Sequence, residues 1–535
     1  MTADDALMST IIVQGAAWIS LLWSSFVIIV QSIGIYKLFR NHSKPLAQPV
    51  SPWLPEDEVP HVTVIRPVKG VEPALYECLA STFRQTYPKT KLTIRLCVAS
   101  RDDPAYPILQ QLVADFPDLD AEVLVEEDDP LLHGSRGHVN NLGPNPKIRN
   151  ISRAYREAKG GVIWIVDCNV WVAKGAAGRL IDKLCGFRPN GVRATQYKFV
   201  HQLPLVVDMD APRTEEALSL LSPDSNRWQS RDSRRLSDRG GRLEEMFMGT
   251  THAKFYSAIN TVGVAPCVVG KSNMFRKSDL DRLTDPSQNP LLSASDASRG
   301  RGVDFFSSYI CEDHVIGDLI FKSAAPGFLK HGLSFGDVAI QPMSGMTAAG
   351  YIARRVRWLR ARKWTVLAAT LIEPGVESIL CCLYVAFALT TIPWFHENLG
   401  ISQTWGEMAA IWASGMVTWM FIDRRLTSKL HKLQSAEVDE STPSFARGTS
   451  RQGGVQQRPF LEWLAAWLGR ELLALPIWTW AVLLGTTVEW RGKKFRVHPD
   501  MSVVEIEDGK DLGPQPSRKD SRTSSPQSAS KGRVD

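Results

Sequence analysis

Residues 162–167 read Val-Ile-Trp-Ile-Val-Asp, five apolar residues closed by an acid. A short apolar run rich in β-branched residues is a buried strand, and the acid marks where it leaves the sheet. The same rhythm repeats outward from it. Upstream, residues 61–68, 92–99 and 121–126 are strand candidates, separated by helix candidates at 73–87, 104–116 and 147–159. Downstream, a helix is expected at 175–185 and a strand at 192–197. Strands alternating with helices predict an α/β fold, a mostly parallel sheet with helices on both faces. Such sheets bind ligands at the carboxyl ends of their strands, so chemistry is expected there.

Two acids meet that condition. Strand 92–99 runs into Arg101-Asp102-Asp103-Pro104, and 162–166 runs into Asp167-Cys168-Asn169. Asp103 and Asp167 could there hold a uridine, a ribose or a divalent cation. The other use of either acid is helix capping, which strand-to-helix turns need. Farther on, Cys311-Glu312-Asp313-His314 follows the aromatic run 305–309. About 40 residues later comes Arg354-Arg355-Val356-Arg357-Trp358. On a helix, Arg354 and Arg357 share one face, which makes a two-guanidinium clamp suited to a pyrophosphate. Trp358 can stack on a sugar or pack at a bilayer surface. The competing reading is a basic amphipathic helix on anionic lipid.

Other signals mislead. Residues 265–272, Ala-Pro-Cys-Val-Val-Gly-Lys-Ser, imitate a phosphate-binding loop, but a single glycine remains where the cradle needs a glycine-rich turn. Asp208-Met209-Asp210 is a literal acid-x-acid pair, yet it opens a polar stretch running to about Arg242 that reads as a loop insertion. Asp167 is the preferred metal residue. The arginines of 231–242 lack interleaved aromatics, which favours a solvated loop over nucleic-acid binding.

Composition narrows the class. The chain has 535 residues with 44% hydrophobic and 22% charged, which excludes a disordered chain. A net charge of +6 over that length is too mild to argue for nucleic acid. Its eight cysteines form no CxxC pair, so a zinc ribbon or thioredoxin motif is not expected. The 17 tryptophans, several beside apolar runs, point to membrane interfaces.

Residues 11–35 carry no charge, enough for a membrane-crossing helix, so 10–36 is read as an uncleaved anchor. Lys37, Arg40 and Lys44 follow at once, which places the downstream block, 60–374, in the cytosol. Insertions fall near 208–242 and 281–303. A second membrane region covers 375–490, with spans at 378–396, 408–422 and 472–488. Residues 460–471 read as an interfacial amphipathic helix with Arg470 and Glu471 on its polar side. Four crossings would return the C-terminus to the N-terminal side. The basic residues Arg491, Lys493, Lys494 and Arg496 argue for the cytosol instead. The polar stretch 434–458 is expected to be a mobile loop, and 508–535 a disordered tail.

Taken in order, Asp103, Asp167, Glu312-Asp313 and Arg354–Trp358 resemble the four elements of the family-2-type membrane glycosyltransferases. The closer resemblance is to the ceramide glucosyltransferases, in a fungal form. It is carried by Arg66-Pro67-Val68-Lys69-Gly70-Val71-Glu72-Pro73, Asn145-Pro146-Lys147-Ile148-Arg149-Asn150 and Met248-Gly249-Thr250-Thr251-His252, besides the acids. It covers roughly residues 10 to 500. The chain departs from that pattern at Asn169, which leaves the acid-x-acid pair incomplete. The resemblance implies a GT-A-type nucleotide-sugar-binding domain, UDP-glucose as donor, ceramide in the bilayer as acceptor, and inversion to a β-glucoside. It further implies Asp313 as general base, with Asp103, Asp167, Lys147, Arg354 and Arg357 at the nucleotide sugar. Trp358, His252 and Cys267 fall at the acceptor side, and Mg²⁺ or Mn²⁺ near Asp167. A Golgi or endoplasmic reticulum membrane is the implied location. Rival readings are a processive polysaccharide synthase, transfer to another lipid, or a non-catalytic scaffold.

Overall fold

The computed structural model describes residues 3–133, 142–209, 239–490, 492–507 and 510–511. The expected α/β domain is present in GT-A-type form. Its strands are β1 (Val62–Pro67), β2 (Leu92–Val98), β3 (Asp120–Val125), β4 (Val162–Val166), β5 (Tyr197–Asp208), β6 (Ser272–Arg276) and β7 (Leu329–Met343). They form one seven-stranded sheet in the order β3-β2-β1-β4-β6-β5-β7. The β1–β2, β2–β3, β1–β4 and β5–β7 pairings are parallel. Only β6 runs against both its neighbours, β4 and β5.

Every residue of β1, β2 and β4 is buried, as expected of strands covered on both faces. Trp164 is fully buried, and its indole N–H donates to Ser272 Oγ at 2.9 Å, tying β4 to β6. Truncating such a residue to alanine costs about 3–5 kcal/mol. The covering helices are α1 (Ala3–Asn41), α2 (Leu75–Phe83), α3 (Tyr106–Asp115), α4 (Pro146–Arg156) and α5 (Ala176–Cys185). Helix α4 shows why these segments are helical. Asn145 caps it by accepting from Lys147 N and Ile148 N, Pro146 sits at its first position, and Ile148, Ile151 and Tyr155 form its buried stripe.

The strand expected at 192–197 begins only at Tyr197 and continues to Asp208. Residues 192–196 instead lead out of the turn closed by Ala194 N donating to Gly186 O, with Val192 exposed. Asp208, expected to open a loop, is the last residue of β5 and pairs with Arg242 at 2.9 Å. Asp210 lies outside the described residues.

After β5 come α6 (Gly240–Phe247), a wider turn (Met248–His252) and α7 (Ala253–Val262). Then follow α8 (Glu312–Lys322), α9 (Ala348–Arg362), α10 (Ser378–Thr391), α11 (Trp405–His431) and α12 (Phe460–Trp478). Helix α1 packs on α7, α10 and α11. It crosses α7 so closely that a Cβ on Gly34 would lie 2.0 Å from Lys254 O, so only glycine fits. The outer side of α1 exposes Ile12, Ile19, Leu22, Phe26 and Ile29, and α12 exposes Leu461, Leu472 and Leu475. An apolar surface of that extent marks contact with something other than water.

Among the described residues, Thr10–Asn41 is the one helix long and apolar enough to cross a membrane. The span expected at 378–396 is broken: Ser378–Thr391 and Pro393–Leu399 meet at 71° and pass the same test only as a pair. The expected span 472–488 is not one helix. Helix α12 contains Pro476, ends at Trp478 and is followed by a turn, and by Thr487 the chain is already a strand. Arg470 and Glu471, expected on a polar face, are 1% and 3% exposed. Arg470 contacts Glu377 at 2.5 Å and also reaches Glu471 and Thr251, while Lys254 meets Asp423 at 2.8 Å. These charges face inward because each has a partner of opposite sign.

The stretch 434–458, expected to be a mobile loop, packs against neighbouring elements. Phe445 and Ala446 are buried with Leu426 and Leu430, and Glu437 pairs with Arg179 at 2.9 Å. A second sheet follows, of β8 (Thr487–Trp490), β9 (Lys493–Val497), β10 (Val503–Glu507) and β11 (Lys510–Asp511). It packs on Ile310 and Trp364, and Val503 N donates to Ser308 O at 2.8 Å.

Candidate active site

The carboxyl ends of the sheet bring the expected acids and lysine together. Asp167 follows β4, and Lys271 precedes its antiparallel neighbour β6, so the pairing of these strands fixes one beside the other. Lys147 enters from the first turn of α4, and Glu312 and Asp313 from the first turn of α8, where the helix dipole favours acids. Lys147 Nζ lies 3.0 Å from Asp167 Oδ1 and 2.9 Å from Glu312 Oε1. Lys271 Nζ lies 3.1 Å from Asp167 Oδ2 and 3.2 Å from Asn169 Oδ1. Asn145 Nδ2 donates to Glu312 Oε2 at 3.2 Å. A Cβ added to Gly270 would stand 3.1 Å from Asp313 Oδ2 and 3.2 Å from Lys147 Nζ, so the glycine lets the backbone approach both.

Electrostatics separates these acids. Burial alone would raise Asp167, but Lys147 and Lys271 hold it well below the usual carboxylate range. Burial raises Glu312 and Asp313, against the pull of Lys147 on both. Burial would lower Lys147, but Asp167 and Glu312 overcome that and raise it. The cluster thus holds one firmly ionised acid and two whose affinity for a proton is increased. That division is characteristic of acid–base sites.

Asp103 stands apart, beyond β2. Its carboxylate accepts from Gly70 N at 2.9 Å and from Ala105 N at 2.9 Å, so it stitches the exits of β1 and β2, while the helix that follows has no side-chain cap. Arg354 is engaged by buried Glu244 at 2.9 Å and lies over the Trp358 ring at 4.7 Å. Arg357 is half-buried one turn further on. His252 has ring contacts with Phe247 at 5.7 Å and Tyr256 at 5.2 Å, and its Nδ1 is buried without a hydrogen-bond partner. Burial, with Arg355 and Arg362, pushes its pKa down to about 3, so it is neutral. Burial pushes the free Cys267 thiol up to about 12. The charge of Arg362 acts on both, and the Tyr256 phenol feels both Cys267 and Asp313.

A divalent cation at Asp167 finds a poor protein donor set. Among the described residues no group of three His, Cys, Asp or Glu side chains could hold one. Both Asp167 oxygens face lysine ammonium groups, and position 169 supplies an amide oxygen already accepting from Lys271. These residues do not fit a resident ion held by the protein alone.

Lys271 and Asn145 were missed among the candidate residues, and Glu312 was noted only as part of its motif. The signal for Lys271 was present in the Gly-Lys of 270–271, which fails as a phosphate loop because a strand, not a helix, follows it.

Comparison with known proteins gives the family. The family model for glycosyl transferase family 21 matches residues 24–207 and 289–503. A ceramide glucosyltransferase of Pyricularia oryzae is 56% identical over 93% of this chain and 96% of its own length. Those of Gibberella zeae and Candida albicans are 50% and 33% identical over 90% and 91% of this chain, and 92% and 97% of their own. Among solved structures, a mannosyltransferase from Pyrobaculum calidifontis in complex with GDP-Man and Mn²⁺ is 16% identical, with a TM-score of 0.38, over 78% of this chain and 98% of that one. The chain belongs to glycosyl transferase family 21, among the ceramide glucosyltransferases.

Proposed function

We propose that the chain transfers glucose from UDP-glucose to the primary hydroxyl of ceramide in one inverting displacement, from the cytosolic face of a Golgi or endoplasmic reticulum membrane that its helices span several times. The observation that supports this best is the cluster at the carboxyl ends of the strands, where Lys147 joins Asp167 and Glu312 and Asp313 stands beside Gly270.

Attack on the anomeric carbon requires the acceptor hydroxyl to lose a proton. Asp313 takes it, and its raised pKa makes it a better base. The departing UDP gains negative charge on its pyrophosphate. Lys147 and Lys271 supply fixed positive charge at Asp167, and Arg354 and Arg357 on α9 add to it. Asp103 reads the uridine at the exit of β2. Trp358, His252 and Cys267 lie on the acceptor side, towards the apolar helices. Ceramide stays in the bilayer because each CH₂ withdrawn costs about 0.8 kcal/mol, so the site must meet it at the surface.

The test uses membranes containing the full chain, labelled UDP-glucose and ceramide, with UDP-galactose and UDP-N-acetylglucosamine in parallel. A single glycolipid formed only from UDP-glucose and ceramide is expected. Asp313→Asn should abolish it while the protein stays in the membrane. Label in a polymer or another lipid would overturn the substrates, and activity retained by Asp313→Asn would overturn the base.

A further inference from the structure

Tyr351, Arg355 and Leu359 are four residues apart on α9 and therefore share one face. It is not the face that carries Arg354 to Glu244. With Glu377, Arg470 and Trp478 it lines a pocket. The polar groups there are not equivalent. Glu377 is held by Arg470 at 2.5 Å and accepts from Thr251 at 3.0 Å. Glu373, also in the lining, is held by Arg362 at 2.6 Å.

Arg355 differs from them. It is 7% exposed, with its guanidinium 3.4 Å from the centre of the Phe247 ring. Among the described residues it has no hydrogen-bond or ion-pair partner. Its guanidinium nitrogens open onto the cavity, so its donors are available to an acceptor that displaces water there.

Charge narrows the choice. Arg355 and Arg470 are balanced by Glu373 and Glu377, so the lining is neutral overall and its two carboxylates disfavour an anion. A neutral molecule fits, with a carbonyl oxygen for Arg355, hydroxyl or amide donors for the carboxylates, and apolar chains against Leu359 and Trp478. A relay of ring contacts links the cavity to the reacting end of the site. Phe247, in its lining, contacts His252, which contacts Tyr256, whose phenol feels Asp313.

We propose that this cavity receives the polar core of the lipid acceptor, with Arg355 donating to its amide carbonyl. The proposal rests on the lipid-acceptor reading above and adds where that lipid is gripped. Arg355 lies outside the arginine pair of the signature, and it acts on the acceptor rather than on the nucleotide.

The test is steady-state kinetics of the full chain in lipid nanodiscs with short-chain ceramide and UDP-glucose. Arg355→Gln should raise KM for ceramide about tenfold or more, the effect of losing one charge-assisted hydrogen bond, with KM for UDP-glucose within about twofold of the parent. Arg355→Lys should recover part of the loss. Ala474→Leu narrows the cavity without touching a charge and should act on the same parameter, which covers the case in which Arg355→Gln fails to fold. A rise in KM for UDP-glucose alone, or no change in either KM, overturns the proposal. A parent enzyme that glucosylates another lipid but not ceramide refutes the acceptor identity instead.

Discussion

Replacing Lys147 by methionine keeps the length of its stem and removes the charge between two carboxylates. The two acids lose different amounts. Asp167 retains Lys271 at 3.1 Å and is partly open to solvent, with its side chain 24% exposed. Glu312, whose side chain is 7% exposed, retains the neutral Asn145 amide at 3.2 Å and a backbone N–H. Removing one partner of a buried pair costs about 3–5 kcal/mol when the other must remain charged. Glu312 has an escape, because it can take up a proton. From its ordinary pKa of 4.5, that costs about 1.36 × (7 − 4.5) ≈ 3.4 kcal/mol at pH 7. The destabilisation of Lys147→Met is therefore capped near 3 kcal/mol at pH 7. At pH 5 the same expression leaves under about 1 kcal/mol. The sign follows from a folded-state pKa raised above the unfolded one. The penalty is full at high pH and fades as pH falls through the raised value. Tryptophan fluorescence melts of the purified protein in detergent should show a drop of roughly 5 °C or more at pH 7.5 and much less at pH 5. Lys147→Met/Glu312→Gln should recover most of it. An equal loss at both pH values, or no recovery in the double variant, would refute the assignment of Lys147 as the ion holding Glu312.

The proton affinity of Asp313 is raised by burial and opposed by Lys147, so the acidic limb of the kcat–pH profile should lie above the ordinary aspartate value of 3.8 and move further up in Lys147→Met. An unmoved limb would remove Asp313 from that role. Lys254→Met leaves Asp423 with Trp467 Nε1 at 2.9 Å and Arg470 at 3.7 Å, and should cost about 2–3 kcal/mol in the same melts. Lys254→Met/Asp423→Asn should regain part of it, and additive losses would contradict a direct pair. Truncation after Trp490 removes β9 to β11 and uncovers Ile310 and Trp364 beside the segment leading into Glu312 and Asp313. Such protein should reach the membrane yet lose at least about tenfold in kcat, an amount equivalent to about 1.4 kcal/mol at the transition state. Undiminished turnover would show that the small sheet does not position that segment.

The amino-acid pattern specifies the alternating strands and helices, because β4 and its neighbours carry unbroken apolar runs and α4 carries its own cap, proline and stripe. It also determined that Asp103 and Asp167 leave strand ends and that residues 10–36 are apolar enough to cross a bilayer. These are local signals, and burial on both faces of the sheet enforces them. Where local signals were weak, the chain went elsewhere. Residues 192–196 have strand-forming residues but are claimed by the turn after α5, and β8 to β11 are too short and too charged to announce themselves.

Only the tertiary structure decided the partners. Lys271 reaches Asp167 across 104 residues, Arg354 reaches Glu244 across 110, and Lys254 reaches Asp423 across 169. No periodicity records such pairs, since an ion pair depends on which helix faces are brought together, not on spacing along the chain. The same reason explains Arg470 and Glu471. A charge on an apolar helix looks solvent-facing in sequence, and becomes interior once Glu377 and Thr251 arrive from elements more than ninety residues away.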